Sequence, residues 1–285
     1  MTRTIALTTP AGPVPPDRLD AAVAALEALG FAVKRFTGTK HPDLPYLSGT
    51  DEQRAVKFQA AWLDPAVSAV ISARGGYGTQ RMLELIDWAA LRAAGPKIFA
   101  GSSDVTALHQ AIAARLDVPT LFSPMPAGTY WDDTAAAGLR LALAGEPVTV
   151  RGTSALVAGS ARGTTTGGNL SLLAAGVGTA EDRGADGRIV LLEDVGEPVY
   201  RVDRMVTQLL RVGWFGGVAG IVLGSWTGCG DVRPLLAERL GPLGVPVLWG
   251  VPFGHQPAAA SLPLGVDAVL DTATLSVRVC GIPKL

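Results

Sequence analysis

The chain is poor in the residues that build metal centres, disulfide frameworks and nucleic-acid surfaces. Its 285 residues include only 2 cysteines and 3 histidines, too few for a Cys/His zinc site, and Cys229 and Cys280 form no CxxC pair. The 24 Lys and Arg balance 25 Asp and Glu, and no Lys/Arg run occurs. A surface for nucleic acid or an anionic membrane is therefore not expected. We expect no metal, two buried free thiols, and a small molecule or peptide as the ligand.

Long apolar segments are also missing, although the mean hydropathy is +0.31. The longest apolar runs are short and strand-like, around residues 188–192 and 219–223, whereas a spanning helix needs about 18–20 residues. Near the amino terminus, Pro10 and Gly12 interrupt the chain before a secretory apolar region can develop. We therefore predict a cytoplasmic protein.

The first third of the chain alternates strand and helix patterns. The hydrophobic fraction of 48% supplies a core, and 35 Gly and 20 Pro indicate many tight turns. Strand-like runs at residues 4–8, 66–73 and 97–100 each precede a turn and an amphipathic helix. This alternation predicts an α/β domain over residues 1–150, with a doubly wound parallel sheet of the Rossmann or flavodoxin-like kind.

The sequence pattern changes between Gly145 and Gly168, where short segments rich in Gly, Thr and Ser replace the helical periodicity. We interpret residues 145–165 as a linker and the opening of a second unit. Residues 165–285 then carry several short strands and helices near 200–211 and 232–240. The second domain is expected to be α+β and barrel-like.

Ser103 follows an apolar strand and begins a helix, with Gly101 before it. In such a corner the hydroxyl is exposed, and the amide of Asp104 at the helix start could stabilise an oxyanion. The alternative is an ordinary N-cap, because Ser and Asp commonly satisfy free amides there. The GxSxG signature of common α/β hydrolases is absent from the sequence.

A serine nucleophile needs a base, and only three histidines are available. His41 lies in a polar loop, and His109 lies two turns along the helix, too far from Ser103. His255 follows a strand end in a Gly/Pro-bounded loop, and Glu193 ends an apolar strand. A buried carboxylate needs a partner. Glu193 either pairs with His255, as the acid that orients the base, or forms a structural ion pair with Arg201 or Arg204.

The turn at residues 74–78, with three glycines, also has two interpretations. Such turns cradle phosphates, but neither a following Lys-Ser/Thr nor a complete GxGxxG is present. In the other interpretation a glycine amide serves as a second oxyanion donor, while Arg74 or Tyr77 contacts the substrate.

Several motifs occur in one order along the chain. They are Arg74-Gly75-Gly76-Tyr77-Gly78, Gly101-Ser102-Ser103-Asp104, Gly167-Gly168-Asn169, Leu192-Glu193-Asp194 and the segment from Gly250 to His255. The ordered set resembles the LD-carboxypeptidase family of serine peptidases, which includes the microcin-C self-immunity proteins. One departure is Ser102, where many members carry a bulkier residue, often Tyr.

The resemblance implies a two-domain cytoplasmic enzyme, a homodimer, that cleaves between an L-configured centre and a terminal D-alanine in murein tetrapeptides. It assigns the nucleophile to Ser103, the triad acid to Glu193 and the base to His255. The oxyanion donors map to the backbone amides of Asp104 and Gly76. A Ser–His–Glu triad needs no cofactor, and Arg74 is the candidate for the terminal carboxylate.

Two other functions remain open at this stage. An immunity-type hydrolase would cut the amide of an aminoacyl-nucleotide antibiotic with the same triad, and Tyr130-Trp131 could supply a stacking surface for its base. A non-enzymatic nucleotide-binding protein would use only the turn at residues 74–78. Ser103, Glu193 and His255, all at strand ends, speak against this last possibility.

Overall fold

The computed structural model describes residues 2–283 and contains fourteen strands and nine α-helices in that range. The strands are β1 Thr4–Thr8, β2 Ala32–Phe36, β3 Val67–Ser72, β4 Ile98–Gly101, β5 Thr120–Phe122, β6 Val148–Arg151, β7 Ser154–Val157, β8 Ser160–Asn169, β9 Arg188–Val195, β10 Gly220–Thr227, β11 Val247–Trp249, β12 Leu262–Leu264, β13 Asp267–Asp271 and β14 Ser276–Val279. The helices are α1 Pro16–Ala28, α2 Asp51–Leu63, α3 Thr79–Met82, α4 Trp88–Ala93, α5 Thr106–Arg115, α6 Asp133–Leu143, α7 Leu170–Ala175, α8 Val199–Arg211 and α9 Arg233–Leu240.

The first sheet has the strand order β2-β1-β3-β4-β5-β12. Its first five strands are parallel, in the order typical of flavodoxin-like folds. The sixth strand, β12, comes from the far end of the chain and pairs antiparallel with β5. The α/β class and the parallel amino-terminal sheet are confirmed.

The second sheet has eight strands in the order β6-β14-β13-β8-β9-β10-β11-β7. Its centre, from β8 to β11, is parallel, and its flanks are antiparallel. Only Gly152 and Thr153 separate the two edge strands β6 and β7 in the chain, so the sheet must curve until its edges approach each other. Because β6 and β7 do not pair within residues 2–283, the sheet curves like a barrel without closing into one.

Two sequence-based predictions need correction. Residues 145–165, interpreted as a linker, hold β6, β7 and the first half of β8. Along β6 and the first half of β8, side chains alternate between half-buried and exposed positions. The sequence there therefore lacks the continuous apolar run that indicates a buried strand. The helix expected after the turn at 74–78 is short: α3 ends at Met82, and a 3₁₀ turn follows over Leu83–Leu85. The predicted domain boundary itself stays a prediction.

Local chemistry explains where the site-forming helices begin. Thr50 caps α2 in a capping box with Gln53, and Asp132 caps α6 by accepting from the Ala135 amide. The strands of both sheets run through clusters of buried hydrophobic side chains. Both cysteines are free, but only Cys229 is buried, whereas Cys280 is exposed. No helix within residues 2–283 is long and apolar enough to cross a bilayer.

Candidate active site

Ser103 lies at a sharp corner between β4 and α5. Its φ is +63°, in the left-handed region that costs a non-glycine residue about 1–3 kcal/mol. A 3₁₀ turn over residues 103–105 leads directly into α5. The Ser103 hydroxyl makes no hydrogen bond within the described chain, so it is available to a substrate.

The turn at residues 74–78 packs against this corner through Gly75. A Cβ atom on Gly75 would lie 2.8 Å from Ser103 Cβ, 2.9 Å from its Oγ and 3.5 Å from the Asp104 amide nitrogen. Only glycine allows this approach. The Gly12 amide donates to the Gly75 carbonyl (3.2 Å), and Gly76 packs on Gly12 with φ +125°. The predicted amide donors of Gly76 and Asp104 therefore belong to two segments in direct contact.

Buried polar side chains lock these segments together. The Asp104 carboxylate accepts hydrogen bonds from the Thr79 amide (2.8 Å) and hydroxyl (2.5 Å). Burial raises its pKa, although these hydrogen bonds act in the opposite direction. Arg54, 1% exposed, donates to the carbonyls of Pro10 (2.6 Å) and Gly78 (2.7 Å) and pairs with Asp51. Arg54 of α2 and Asp104 of the 3₁₀ turn thus hold the carboxyl end of the glycine turn, at Gly78 and Thr79.

Glu193 lies near the end of β9 with its side chain fully buried. Its Oε2 accepts from His255 Nδ1 (2.6 Å) and from the His255 amide (3.2 Å), while Oε1 accepts from Asn169 Nδ2 (3.2 Å). The alternative arginine partners lie elsewhere: Arg201 pairs with Glu197 at 3.6 Å, and Arg204 lies over the Tyr200 ring. Of the partners considered for Glu193, the structure therefore shows His255 and neither of the two arginines.

The electrostatics of His255 follow from this pairing. Burial by itself lowers its pKa, but the hydrogen bond and charge of Glu193, with a smaller effect from Asp194, outweigh burial and raise the pKa. Since Nδ1 donates to a carboxylate, the neutral ring has a free acceptor at Nε2. Glycine is required at Gly254, because its φ is +92° and a Cβ atom there would meet Glu193 Oε2 at 2.5 Å.

Ser103 and His255 line the same pocket, whose volume is about 150 Å³. Arg18, Arg74 and Tyr130 contribute the larger side chains of its wall. Tyr130 packs edge-on against the His255 ring, with centroids 6.1 Å apart. A hydroxyl on a strained corner, an imidazole with a free acceptor and a buried acid behind it can together perform acyl transfer.

Comparison with known proteins agrees with this chemistry. Residues 5–123 match the LD-carboxypeptidase N-terminal domain and residues 162–270 match the LD-carboxypeptidase C-terminal domain. The chain belongs to the LD-carboxypeptidase family. It is therefore a peptidase of the serine type.

Similar proteins extend over nearly the whole chain. A Streptomyces coelicolor protein named as a candidate carboxypeptidase is 52% identical over 95% of this chain and 91% of its own length. The murein tetrapeptide carboxypeptidase of Pseudomonas aeruginosa is 31% identical over 94% of this chain and 92% of that protein. The crystal structure of a muramoyltetrapeptide carboxypeptidase from Oxalobacter formigenes superposes with a TM-score of 0.87 at 28% identity, covering 98% of both chains.

The microcin C7 self immunity protein, solved in complex with aspartyl sulfamoyl adenosine, also shares the fold of this LD-carboxypeptidase. Its TM-score is 0.85 at 23% identity, covering 98% of this chain and 96% of that one. At this identity the likeness concerns the fold alone.

Two aromatic residues singled out in the sequence lie outside the pocket wall of this LD-carboxypeptidase. Tyr77 is 54% exposed and packs edge-on against Tyr46, with centroids 5.7 Å apart. Trp131 packs against the core of the first sheet, so of the pair Tyr130-Trp131 only Tyr130 faces the pocket.

The other two histidines have structural roles. His109 Nε2 donates to the Gly101 carbonyl (2.9 Å), its Nδ1 accepts from the Thr120 hydroxyl (2.8 Å), and burial lowers its pKa to about 4. His41 Nδ1 accepts from the amides of Asp43 and Leu44. The exclusion of both as the base of Ser103 agrees with these contacts.

Sequence reasoning missed Asn169 as a functional side chain. Its Nδ2 donates to Glu193 Oε1 (3.2 Å) and to Asp194 Oδ1 (2.9 Å), so it bridges two adjacent buried carboxylates. Asp194 also accepts from the amide and hydroxyl of Ser171. The signal in the sequence was a strand that ends in Gly-Gly-Asn and a later strand with Glu-Asp near its end. No sequence pattern indicated Arg18, because its position in the pocket depends on where α1 lies.

Proposed function

We propose that this LD-carboxypeptidase hydrolyses the bond between the L-centre of meso-diaminopimelate and the terminal D-alanine of murein tetrapeptides. Ser103, His255 and Glu193 form the proposed catalytic triad. The observation that carries the proposal is the buried Glu193–His255 pair, 2.6 Å apart, opening onto the pocket that also holds strained Ser103. The murein tetrapeptide carboxypeptidase among the similar proteins supports the choice of substrate.

In the proposed reaction, Ser103 Oγ attacks the scissile carbonyl carbon while His255 Nε2 takes the hydroxyl proton. Glu193 holds the ring tautomer and stabilises the imidazolium. The amides of Gly76 and Asp104 stabilise the oxyanion. His255 then gives the proton to the leaving amine, which departs as D-alanine. Water, activated by His255, hydrolyses the acyl-enzyme.

A carboxypeptidase must also hold the terminal carboxylate of its substrate. Arg74 lines the pocket while its Nη1 donates to the Pro13 carbonyl (3.2 Å), which fixes the guanidinium in place. We assign the carboxylate contact to Arg74, because a fixed guanidinium suits a planar carboxylate.

The second candidate is amide hydrolysis of an aminoacyl-nucleotide with the same triad. Tyr130 in the pocket wall favours it, since a nucleobase could stack on that ring. We prefer hydrolysis of murein peptides, because a relative more than 30% identical is named a murein tetrapeptide carboxypeptidase. The immunity protein is only 23% identical.

Parallel assays on the two substrates test the choice. Purified protein is incubated with L-Ala-D-Glu-meso-diaminopimelate-D-Ala and with an aminoacyl sulfamoyl adenosine, and products are identified by mass spectrometry. We expect release of D-alanine and no cleavage of the nucleotide. Cleavage of the nucleotide alone would replace the first candidate by the second.

Two further properties complete the proposal. We propose a cytoplasmic location and a homodimer, as the family resemblance implies. Cell fractionation with a specific antibody and light scattering of the purified protein measure them. Recovery outside the cytoplasmic fraction, or a monomer mass, would contradict the respective statement.

A further inference from the structure

A second cleft lies beside the active-site pocket, and Arg74 belongs to the walls of both. Its volume is about 650 Å³, much larger than the 150 Å³ of the pocket itself. Most of its wall is apolar and comes from the proline-rich segment before α1, the first turns of α1 and the loop after β2. It includes Pro13, Val14, Leu19 and Pro45.

The loop wall of this cleft is held by partly buried hydrogen bonds. The Gly38 amide donates to Thr9 Oγ1 (2.8 Å), and Lys57 Nζ donates to the Thr37 carbonyl (2.5 Å). A Cβ atom on Gly38 would lie 2.1 Å from the Ser48 carbonyl oxygen, so the loop packs directly on its neighbour. The cleft is therefore preformed, which lowers the entropic cost of binding an extended ligand.

The two cavities are positively charged, although the net charge of the chain is −1. Arg18 lines the pocket, Arg35 and Lys40 line the cleft, and Arg74 lines both. Asp20, in the cleft, is the only carboxylate that lines the two cavities, and it pairs with Arg35 at 2.7 Å. Arg18, Lys40 and Arg74 have no carboxylate partner within residues 2–283. An anionic ligand would complement this surface.

We propose that this cleft binds the L-Ala-D-Glu end of the murein peptide, with Lys40 facing the free carboxylate of D-Glu. The inference rests on the proposed function. The leaving group is a single D-alanine, for which the small pocket suffices. The acyl side is longer and must continue beyond the pocket, and the cleft across Arg74 offers it apolar walls. D-Glu keeps one free carboxylate whichever of its carboxyl groups forms the peptide bond.

A pair of substrates that differ in one charge tests this contact. One is the tetrapeptide with D-Glu, and the other is the same peptide with the free carboxylate of D-Glu converted to an amide. The readout is the ratio of their kcat/KM values for release of D-alanine. We expect the unmodified protein to prefer the carboxylate peptide about threefold to fivefold, as for one exposed ion pair.

Two substitutions at Lys40 and one control sharpen the measurement. Lys40→Met should bring the ratio close to one, and Lys40→Glu should invert it. Arg278→Glu makes the same charge change at an exposed position of β14, outside both cavity walls, and should keep the original ratio. Since Lys40 is exposed, we expect all three variants to fold, which thermal melting checks.

The outcomes separate this inference from the function on which it rests. If D-alanine is released but both Lys40 variants keep the original ratio, the cleft assignment is overturned. The same holds if Arg278→Glu lowers the ratio as much as Lys40→Glu does, because the effect would then be one of overall charge. If neither peptide releases D-alanine, the proposed function fails, and the assignment fails with it.

Discussion

The two sides of the active-site pocket are built in different ways. On the amino-terminal side the backbone provides the proposed chemistry: a serine with φ +63° and a glycine turn packed so closely on it that a Cβ atom on Gly75 would lie 2.8 Å from Ser103 Cβ. On the carboxy-terminal side, charged side chains provide it, because fully buried Glu193 pairs with His255 at 2.6 Å. One side depends on shape and the other on charge, so different substitutions should break each.

Each side carries its own free-energy cost. The conformation of Ser103 costs about 1–3 kcal/mol of strain. Burial of the adjacent carboxylates Glu193 and Asp194 would cost several kcal/mol without partners. His255, Asn169 and Ser171 supply those partners as hydrogen-bond donors. Strain at the proposed nucleophile and buried charge beside the proposed base are both typical of functional sites.

Loss of the nucleophile should have the largest effect. Ser103→Ala removes the attacking oxygen, and we expect kcat for D-alanine release to fall about 10⁴- to 10⁶-fold. Ser102→Ala is the matched control, since Ser102 also lines the pocket but carries no role in the proposed reaction; it should lose less than about tenfold. Substantial activity in Ser103→Ala, measured with the same peptide, would refute the triad.

A single added methyl group should damage the shape-dependent side. Gly75→Ala places a Cβ atom 2.9 Å from Ser103 Oγ, so the hydroxyl or the oxyanion turn must shift, and we expect kcat to fall about 10²-fold. Gly241→Ala, where a Cβ atom meets nothing within 4 Å, should keep full activity. Equal activity of the two variants would show that the contact with Ser103 has no importance for catalysis.

The charge-dependent side should reveal itself in the pH profile. His255 must be neutral to accept the Ser103 proton, and its pKa is raised above the usual 6.5. We therefore expect kcat/KM to fall about tenfold per pH unit as the pH drops below that raised pKa. Glu193→Gln removes the main interaction that raises the pKa of His255, so the fall of kcat/KM at acidic pH should move to lower pH, and the rate should also decrease. If the acidic side of the profile is unchanged in Glu193→Gln, the titrating group is not His255 paired with Glu193.

Much of the fold was accessible from local patterns. The apolar runs that became β1, β3, β4, β9 and β10 were recognised within a few residues, because buried parallel strands are nearly continuous apolar segments. The three strands in residues 148–169 were missed, since most of their residues are half-buried or exposed and about half are Gly, Thr or Ser, as in a linker. The same limits apply to the site: Ser103, Glu193 and His255 were singled out beside recognised strands, whereas Asn169 ends a missed strand and Arg18 reaches the pocket only through the position of α1.

By itself, the sequence determined the strand–helix alternation, the glycine turns and the shortage of histidines that singled out His255. These features follow from the properties of neighbouring residues. Only the tertiary structure decided that Glu193 pairs with His255 rather than with Arg201 or Arg204, and that Ser103 shares its pocket with His255. Those relations depend on the order and register of strands from distant parts of the chain, which no local pattern encodes.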